Sequence, residues 1–207
     1  MDILTIGLGT IGTTYSYLFS KAGHNVEHYI RKSSKKINIT QLNVDVLDGR
    51  NNKKGDHYND TYKVNTHTKG NYDFIFISMP AGNIESVIEI LNSNNIKGTI
   101  ILCCGIWKDK KYLEKVMQGR EYILGYPVAG GNIVDATLTC CVFDHFILEK
   151  KENSKIDNYD KLVKLFESCN IKLETPYDML EWIWLHMAIN AGVVSIAAKY
   201  ADMDNPT

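Results

Sequence analysis

The chain has 207 residues, 44% hydrophobic and 23% charged, with a formal net charge of −1. That composition predicts an ordinary soluble globular protein, large enough for one sizeable domain and part of another. The near-neutral balance excludes a strong field that recruits nucleic acid or an anionic membrane, and no apolar run approaches the roughly 20 residues of a membrane span.

"MDILTIGLG" opens the chain without a basic flank or an apolar signal region, so no export signal is read there. Ile3, Leu4 and Ile6 predict a short buried strand. Gly7, Gly9 and Gly12 then punctuate a turn into a helix carrying Tyr15, Leu18 and Phe19, which stops at Gly23. "NVEHYI" predicts a second strand, so strand, helix and strand fit within about 30 residues, the length of a βαβ unit.

In "KINITQLNVDVLDGRNNKKGDHYNDTYKVNTH" the alternation of Ile37 with Ile39, and of Val44 with Val46, predicts extended segments. "GRNNKKGD" is a solvated polar tip. "YDFIFISMP" predicts a buried strand ending at Pro80, "NIESVIEILNSN" an amphipathic helix and "GTIILCCG" another buried strand. "KDKKYLEKVMQG" reads as a surface-lying helix, and "EYILGYPVAGG" and "ATLTCCVFDHFILEK" as strands. "YDKLVKLFESC" is a helix, "IKLETP" a short strand and residues 178–200 a long helix. The alternation predicts an α/β fold with a doubly wound, mostly parallel sheet covered on both faces. Cys103–Cys104, Cys140–Cys141 and Cys169 lack zinc or Cys-x-x-Cys spacing. They predict buried thiols in a reducing cytosol, and no metal is expected.

Gly7-Leu8-Gly9-Thr10-Ile11-Gly12 is G-x-G-x-x-G between a strand and a helix. In that context it predicts a dinucleotide site: Gly7 for the tight turn, Gly9 for close approach of a pyrophosphate, Gly12 for close helix–strand packing. The helix N-terminus adds free N–H groups and partial positive charge. The second strand ends "HYIRKSS", so Arg31 and Lys32, with Ser33 and Ser34 behind them, stand where an acid would hold ribose hydroxyls. Two cations suit a 2′-phosphate, which favours NADP(H) over NAD(H). Glu27 is a rival acid but sits too near the strand's start.

"EWIWLHMAINAG" carries His186 and Asn190 four residues apart, hence on one face of an otherwise apolar helix. Pattern alone favours a core helix with two satisfied polar groups over a reaction site. Trp182 and Trp184 read as packing at a domain junction. His24, His28, His57, His67 and His145 show no metal-ligand spacing and read as structural.

"ILTIGLGTIG", "AGHNVEHYIRK", "YDFIFISMPAGNIESVIEIL", "GYPVAGGNIVDATLT" and "EWIWLHMAINAG" together resemble the ketopantoate reductase (2-dehydropantoate 2-reductase) family over nearly the whole chain. The resemblance implies a Rossmann-type domain at residues 1–176, and at 177–207 the first helix of a helical C-terminal domain cut short relative to typical members. It implies reduction of a 2-keto acid, ketopantoate to pantoate in pantothenate biosynthesis, by NADPH. Met79, Pro80, Cys104 and Ala129 are the further cofactor contacts it implies.

The sequence also departs from that pattern. The lysine that family members carry near the substrate carbonyl falls on His186, and the asparagine one turn later on Asn190. A further family asparagine falls on Val194, a lysine on Pro80, and an Asn-Gly on Cys104-Gly105. Pro127, Ala129, Gly130 and Gly131 match a "PxAGG" subgroup that also carries the histidine. His186 can protonate a developing alkoxide, because its ordinary pKa lies near working pH, and Asn190 can orient the substrate. The expected protein is thus a cytoplasmic NADPH-dependent reductase that pairs as a homodimer. The alternatives are a non-catalytic NADP(H)-binding relative, serving as a sensor or partner subunit, and a reductase of another small carbonyl or imine.

Overall fold

The computed structural model describes residues 1–200, with side chains through residue 195. Strand β1 (Asp2–Ile6) leads through the glycine turn into α1 (Thr10–Lys21), and β2 (Asn25–Tyr29) returns parallel to β1. Gly23, at φ +86°, closes α1: its N–H donates to Ser20 O, and His24 N–H to Phe19 O. The hairpin β3 (Gln41–Asp48) and β4 (Asp56–Lys63) follows, then β5 (Asn71–Ile77), α2 (Ile84–Ser93), β6 (Lys97–Leu102) and α3 (Lys110–Met117). The chain continues through β7 (Tyr122–Val134), β8 (Thr137–Leu148), α4 (Tyr159–Ser168), β9 (Lys172–Glu174) and α5 (Met179–Tyr200).

The strands form one sheet in the order β2-β1-β5-β6-β7-β8-β3-β4, with β9 on β8. It is mostly parallel, as predicted. The β7/β8 and β3/β4 hairpins supply its antiparallel pairs. Alternate residues of each strand feed opposite faces. Ile3, Phe74, Phe76 and Ile101 join α1 and α4 on one side. Leu4, Ile75, Ile77 and Ile100 join α2, α3 and the start of α5 on the other. On the first side Tyr15, Phe19, Phe76, Phe146 and Phe166 form one aromatic cluster, each side chain contributing about 1.5–3 kcal/mol by burial.

The sheet curls around α1, whose residues Gly12–Phe19 are all buried. Thr5 and Ser16 hydroxyls meet at 2.6 Å, and Ser16 donates to Gly12 O. Tyr17 reaches Asp60 on β4, and Tyr15 accepts from Val128 N on β7. Beyond β4 the chain returns to β2: His28 N–H donates to Asn65 O at 2.8 Å, and His67 N–H to His28 O at 3.0 Å. The two edges of the sheet are thereby joined.

Two boundaries differ from expectation. Ile37 and Ile39 lie in successive turns, not in a strand, because Ser34, Ile37 and Ile39 N–H groups bond carbonyls three residues back. The Ser34 hydroxyl accepting from Lys36 N–H reinforces that path. Strand β5 stops at Ile77 and not at Pro80, since Pro80 instead precedes a 3-10 turn at Ala81–Asn83.

The β7/β8 hairpin turns through Asp135 and Ala136, both left-handed at φ +46° and +57°. Alanine there carries a steric penalty that glycine avoids, partly offset by glycine's unfolded-state entropy. Ala136→Gly is expected to stabilise the protein by up to about 1 kcal/mol, read as a rise in Tm. An unchanged or lower Tm would mean the turn is not strained.

Candidate active site

The chain steps from β1 to β2 on one side of the sheet, and the β5/β6 pair lies on the other side of β1. The carboxyl ends of β1 and β5 therefore flank a crevice of the kind that holds ligands in open α/β sheets. The glycine turn sits at its edge. Gly7 has φ +84°, which an L side chain rarely adopts, and its N–H donates to Tyr29 O at 2.8 Å. A Cβ on Gly12 would stand 3.0 Å from Thr5 Cγ2, so Gly12 is where helix and strand touch.

Gly9 differs from both. Its φ of −84° and ψ of 156° suit any residue, and a Cβ there would meet nothing within 4 Å. Folding alone gives no reason for glycine at this position. No side chain caps α1 and no acid lies in its first turn, so its leading N–H groups are left to an external acceptor.

The turn is held from two sides. His28 is fully buried, and burial pushes its pKa down to about 4, so the ring is neutral. Nδ1–H then donates to Gly7 O at 2.9 Å, and Nε2 accepts from Tyr62 OH at 2.8 Å. Lys36 Nζ donates to Leu8 O at 2.8 Å from the other side. Arg31 and Lys32 are exposed beyond the buried Ile30 and make no ion pair among the described residues. Glu27 is 6% exposed and already committed, accepting from Tyr72 OH and from Thr68 N–H and hydroxyl. Burial acts to raise its pKa, but these hydrogen bonds outweigh burial and hold it below its ordinary value.

Met79 and Pro80 follow β5, and Cys104 follows β6, at the same end of the sheet as the glycine turn. Met79 is half-buried and Pro80 exposed. The Cys104 side chain is enclosed, and burial pushes its thiol up to about 11, so it stays protonated at neutral pH. Ala129 is half-buried in β7, opposite Val142 and beside a register shift at Pro127/Ala129.

Helix α5 lies against this end of the sheet. Met187 Sδ is 3.0 Å from where a Gly105 Cβ would be. His186 is half-buried, stacked on Trp182 (4.9 Å, 9°) and edge-on to Tyr126 (4.6 Å, 65°). Neither ring nitrogen of His186 has a hydrogen-bond partner among the described residues, and Asn190, one turn on, is exposed. Two aromatic faces thus fix the imidazole while its nitrogens remain available. Trp182 also packs against the second core cluster.

Sequence reasoning missed Lys36, although "RKSSKK" contained it, and it missed Tyr126. Only the fold brings Tyr126 to His186. Among the described residues no group of three His, Cys, Asp or Glu could hold a metal, and no helix is long and apolar enough to cross a membrane.

The family described as ketopantoate reductase PanE/ApbA matches residues 3–126. A search of curated proteins finds no match. Among solved structures the fold is similar to a dimeric ketopantoate reductase from Staphylococcus aureus (TM-score 0.66, 14% identity), covering 96% of this chain and 63% of that one. It is also similar to a 2-dehydropantoate 2-reductase from Methylococcus capsulatus (0.67, 16%; 97% of this chain, 65% of that). A third is D-mandelate dehydrogenase, solved with NADH and anilino(oxo)acetate (0.65, 15%; 92% of this chain, 61% of that). At these identities the likeness is one of fold, and the chain spans less than two thirds of the length of these three neighbours.

Proposed function

The chain belongs to the ketopantoate reductase PanE/ApbA family, a family of oxidoreductases, and from that premise we propose that it is an NADPH-dependent reductase of a small 2-keto acid. Ketopantoate, on the route to pantothenate, is the first substrate to test. The observation that carries this reading is the open space over Gly9 at an uncapped helix N-terminus, with two exposed cations after β2 that make no ion pair among the described residues. Backbone N–H groups of residues 7–12 hold the pyrophosphate there. Arg31 and Lys32 take the 2′-phosphate, while Met79, Pro80, Cys104 and Ala129 flank the rest of the cofactor.

When bound, the cofactor supplies a hydride to the keto carbon. The protein's task is the oxygen, where negative charge develops. His186 donates a hydrogen bond to that oxygen and then its proton, and Asn190 orients the carboxylate or carbonyl through its amide. Residues 1–176 form the nucleotide-binding domain in this reading, and 177–207 begin a helical domain. Leu185, Ile189, Val193 and Val194 are 56–65% exposed on α5, which supports an apolar partner there, a second copy of the chain in the homodimer proposed here. All five cysteines are free, which supports a reducing, cytoplasmic setting.

NADPH oxidation with ketopantoate and a panel of 2-keto acids tests the proposal. No turnover with any of them would favour a non-catalytic nucleotide-binding role. The cofactor assignment has its own test. Arg31→Ala is expected to raise the Kd for NADPH about tenfold to a hundredfold, the worth of one hydrogen bond to a charged group, and to leave NADH nearly unchanged. Equal weakening of both would remove the 2′-phosphate from Arg31.

A further inference from the structure

A cavity of about 1140 Å³ opens on the α3 side of the sheet, between α3, the start of β7, the segment after β8 and the first turn of α5. Neither the glycine turn nor His186 lines it. Its floor is apolar: Leu113, Met117, Leu124 and Met179 are each 3% exposed or less. One ionisable group stands deep among them. Glu149, at 8% exposure, follows directly on the last residue of β8.

The bonding of Glu149 is incomplete. Its Oε2 accepts from Leu124 N–H at 3.2 Å. Its Oε1 has no hydrogen-bond partner among the described residues, yet it is not one of the sealed orphan atoms, which are Thr13 Oγ1, Asn158 Oδ1 and Trp184 Nε1. The cavity therefore reaches it. Among the described residues no cation pairs with this carboxylate: Lys110 on α3 acts on it only from a distance, while at the rim Lys155 is bound to Glu114 and Arg120 to Asn92. A buried carboxylate with an open acceptor is completed best by a cationic donor, whose charge-assisted hydrogen bond is about twice as strong as a neutral one.

We propose that this cavity is a binding site for a small primary amine with a hydrocarbon tail. The ammonium bonds Glu149 Oε1, and the tail lies along the half-buried Tyr122 and Leu180, which line the cavity over the closed layer of Leu113, Met117, Leu124 and Met179. A metal ion is a poor fit, because among the described residues no group of three His, Cys, Asp or Glu comes close enough together to hold one.

The electrostatics of the empty site agree. Burial raises the Glu149 carboxyl above its ordinary value, against the Leu124 N–H and Lys110 on α3, and with the help of Asp178 ahead of α5. Tyr122 on β7 and Tyr159 on α4 also face it. A raised folded-state value favours the protonated form, so the stability it confers is present at low pH and lost as pH rises through that value. Glu149→Gln, uncharged throughout, is thus expected to fold. Its Tm advantage over the parent should grow as pH rises above the ordinary carboxyl range and through the raised folded-state value.

Titration calorimetry of the full chain with n-hexylamine, and with n-hexanol as its neutral counterpart, tests the site. The amine is expected to bind at least about tenfold more tightly than the alcohol, with that preference lost in Glu149→Gln. Leu180→Trp, which fills the mouth of the cavity, should abolish amine binding and leave NADPH binding intact, and it serves if Glu149→Gln does not fold. Equal binding of amine and alcohol, no binding of either, or a preference that survives Glu149→Gln would overturn the proposal.

Discussion

His186→Ala is expected to lower kcat with the best 2-keto acid by about 10²- to 10⁴-fold, the usual contribution of a positioned proton donor. The Kd for NADPH should stay the same, because the imidazole sits on α5 against Tyr126 and Trp182, not on the glycine turn. Removing the ring also removes two aromatic contacts, each worth about 0.5–1.5 kcal/mol, so Tm falls as well. His186→Phe separates the two effects. It keeps a flat ring between Trp182 and Tyr126 but carries no proton. If it loses activity as fully as alanine while recovering Tm, the proton was what mattered. Activity persisting in both variants would take His186 out of the chemistry and return it to the packing role its apolar helix suggests.

Gly9→Val should leave Tm within error of the parent and weaken NADPH binding by more than about a hundredfold, since a branched side chain would occupy the space that a pyrophosphate needs. The argument rests on contrast. Valine tolerates the extended backbone of Gly9, and the space around its Cβ is empty of protein. Valine at Gly12 would press on the buried Thr5, costing about 1–3 kcal/mol by overpacking. A loss of binding at Gly12 would therefore be ambiguous, whereas one at Gly9 is not. Retained NADPH affinity in Gly9→Val, measured by fluorescence titration, would mean that the crevice does not hold the cofactor's phosphates.

The first βαβ unit was legible because each of its signals is local. The glycine spacing, the apolar run of β1 and the Gly23 stop need no distant partner. The same holds for α2, α3 and α4, where one apolar face suffices. Strand pairing is different. The alternation of Val44 and Val46 marks a strand but not its neighbours, and β3 finds β8 on one side and β4 on the other. Ile37 and Ile39 alternate too, over a stretch too short to outweigh the turns around Ser34.

The candidate site divides along the same line. Residues 7–12 and Arg31 follow from spacing. The grip of Lys36 on Leu8 O depends on how a loop folds back, and Tyr126 meets His186 only through tertiary packing. Nothing local distinguishes Glu149 from the other acids of the chain. Its significance comes wholly from the enclosure that α3, β7 and α5 build around it.

The joined edges of the sheet bear on how the chain reaches this state. With His28 bonded to Asn65 and His67, and β3 bonded to β8, strands drawn from most of the sequence enclose α1. A helix in that position cannot be inserted after the ring has shut. Closure of the ring must then follow the docking of α1, and such long-range pairing gives folding times of about milliseconds to seconds. The segment proposed to grip the cofactor is thus also the one that the sheet encloses. Large substitutions on the inner residues of α1 would then slow folding more than they hasten unfolding.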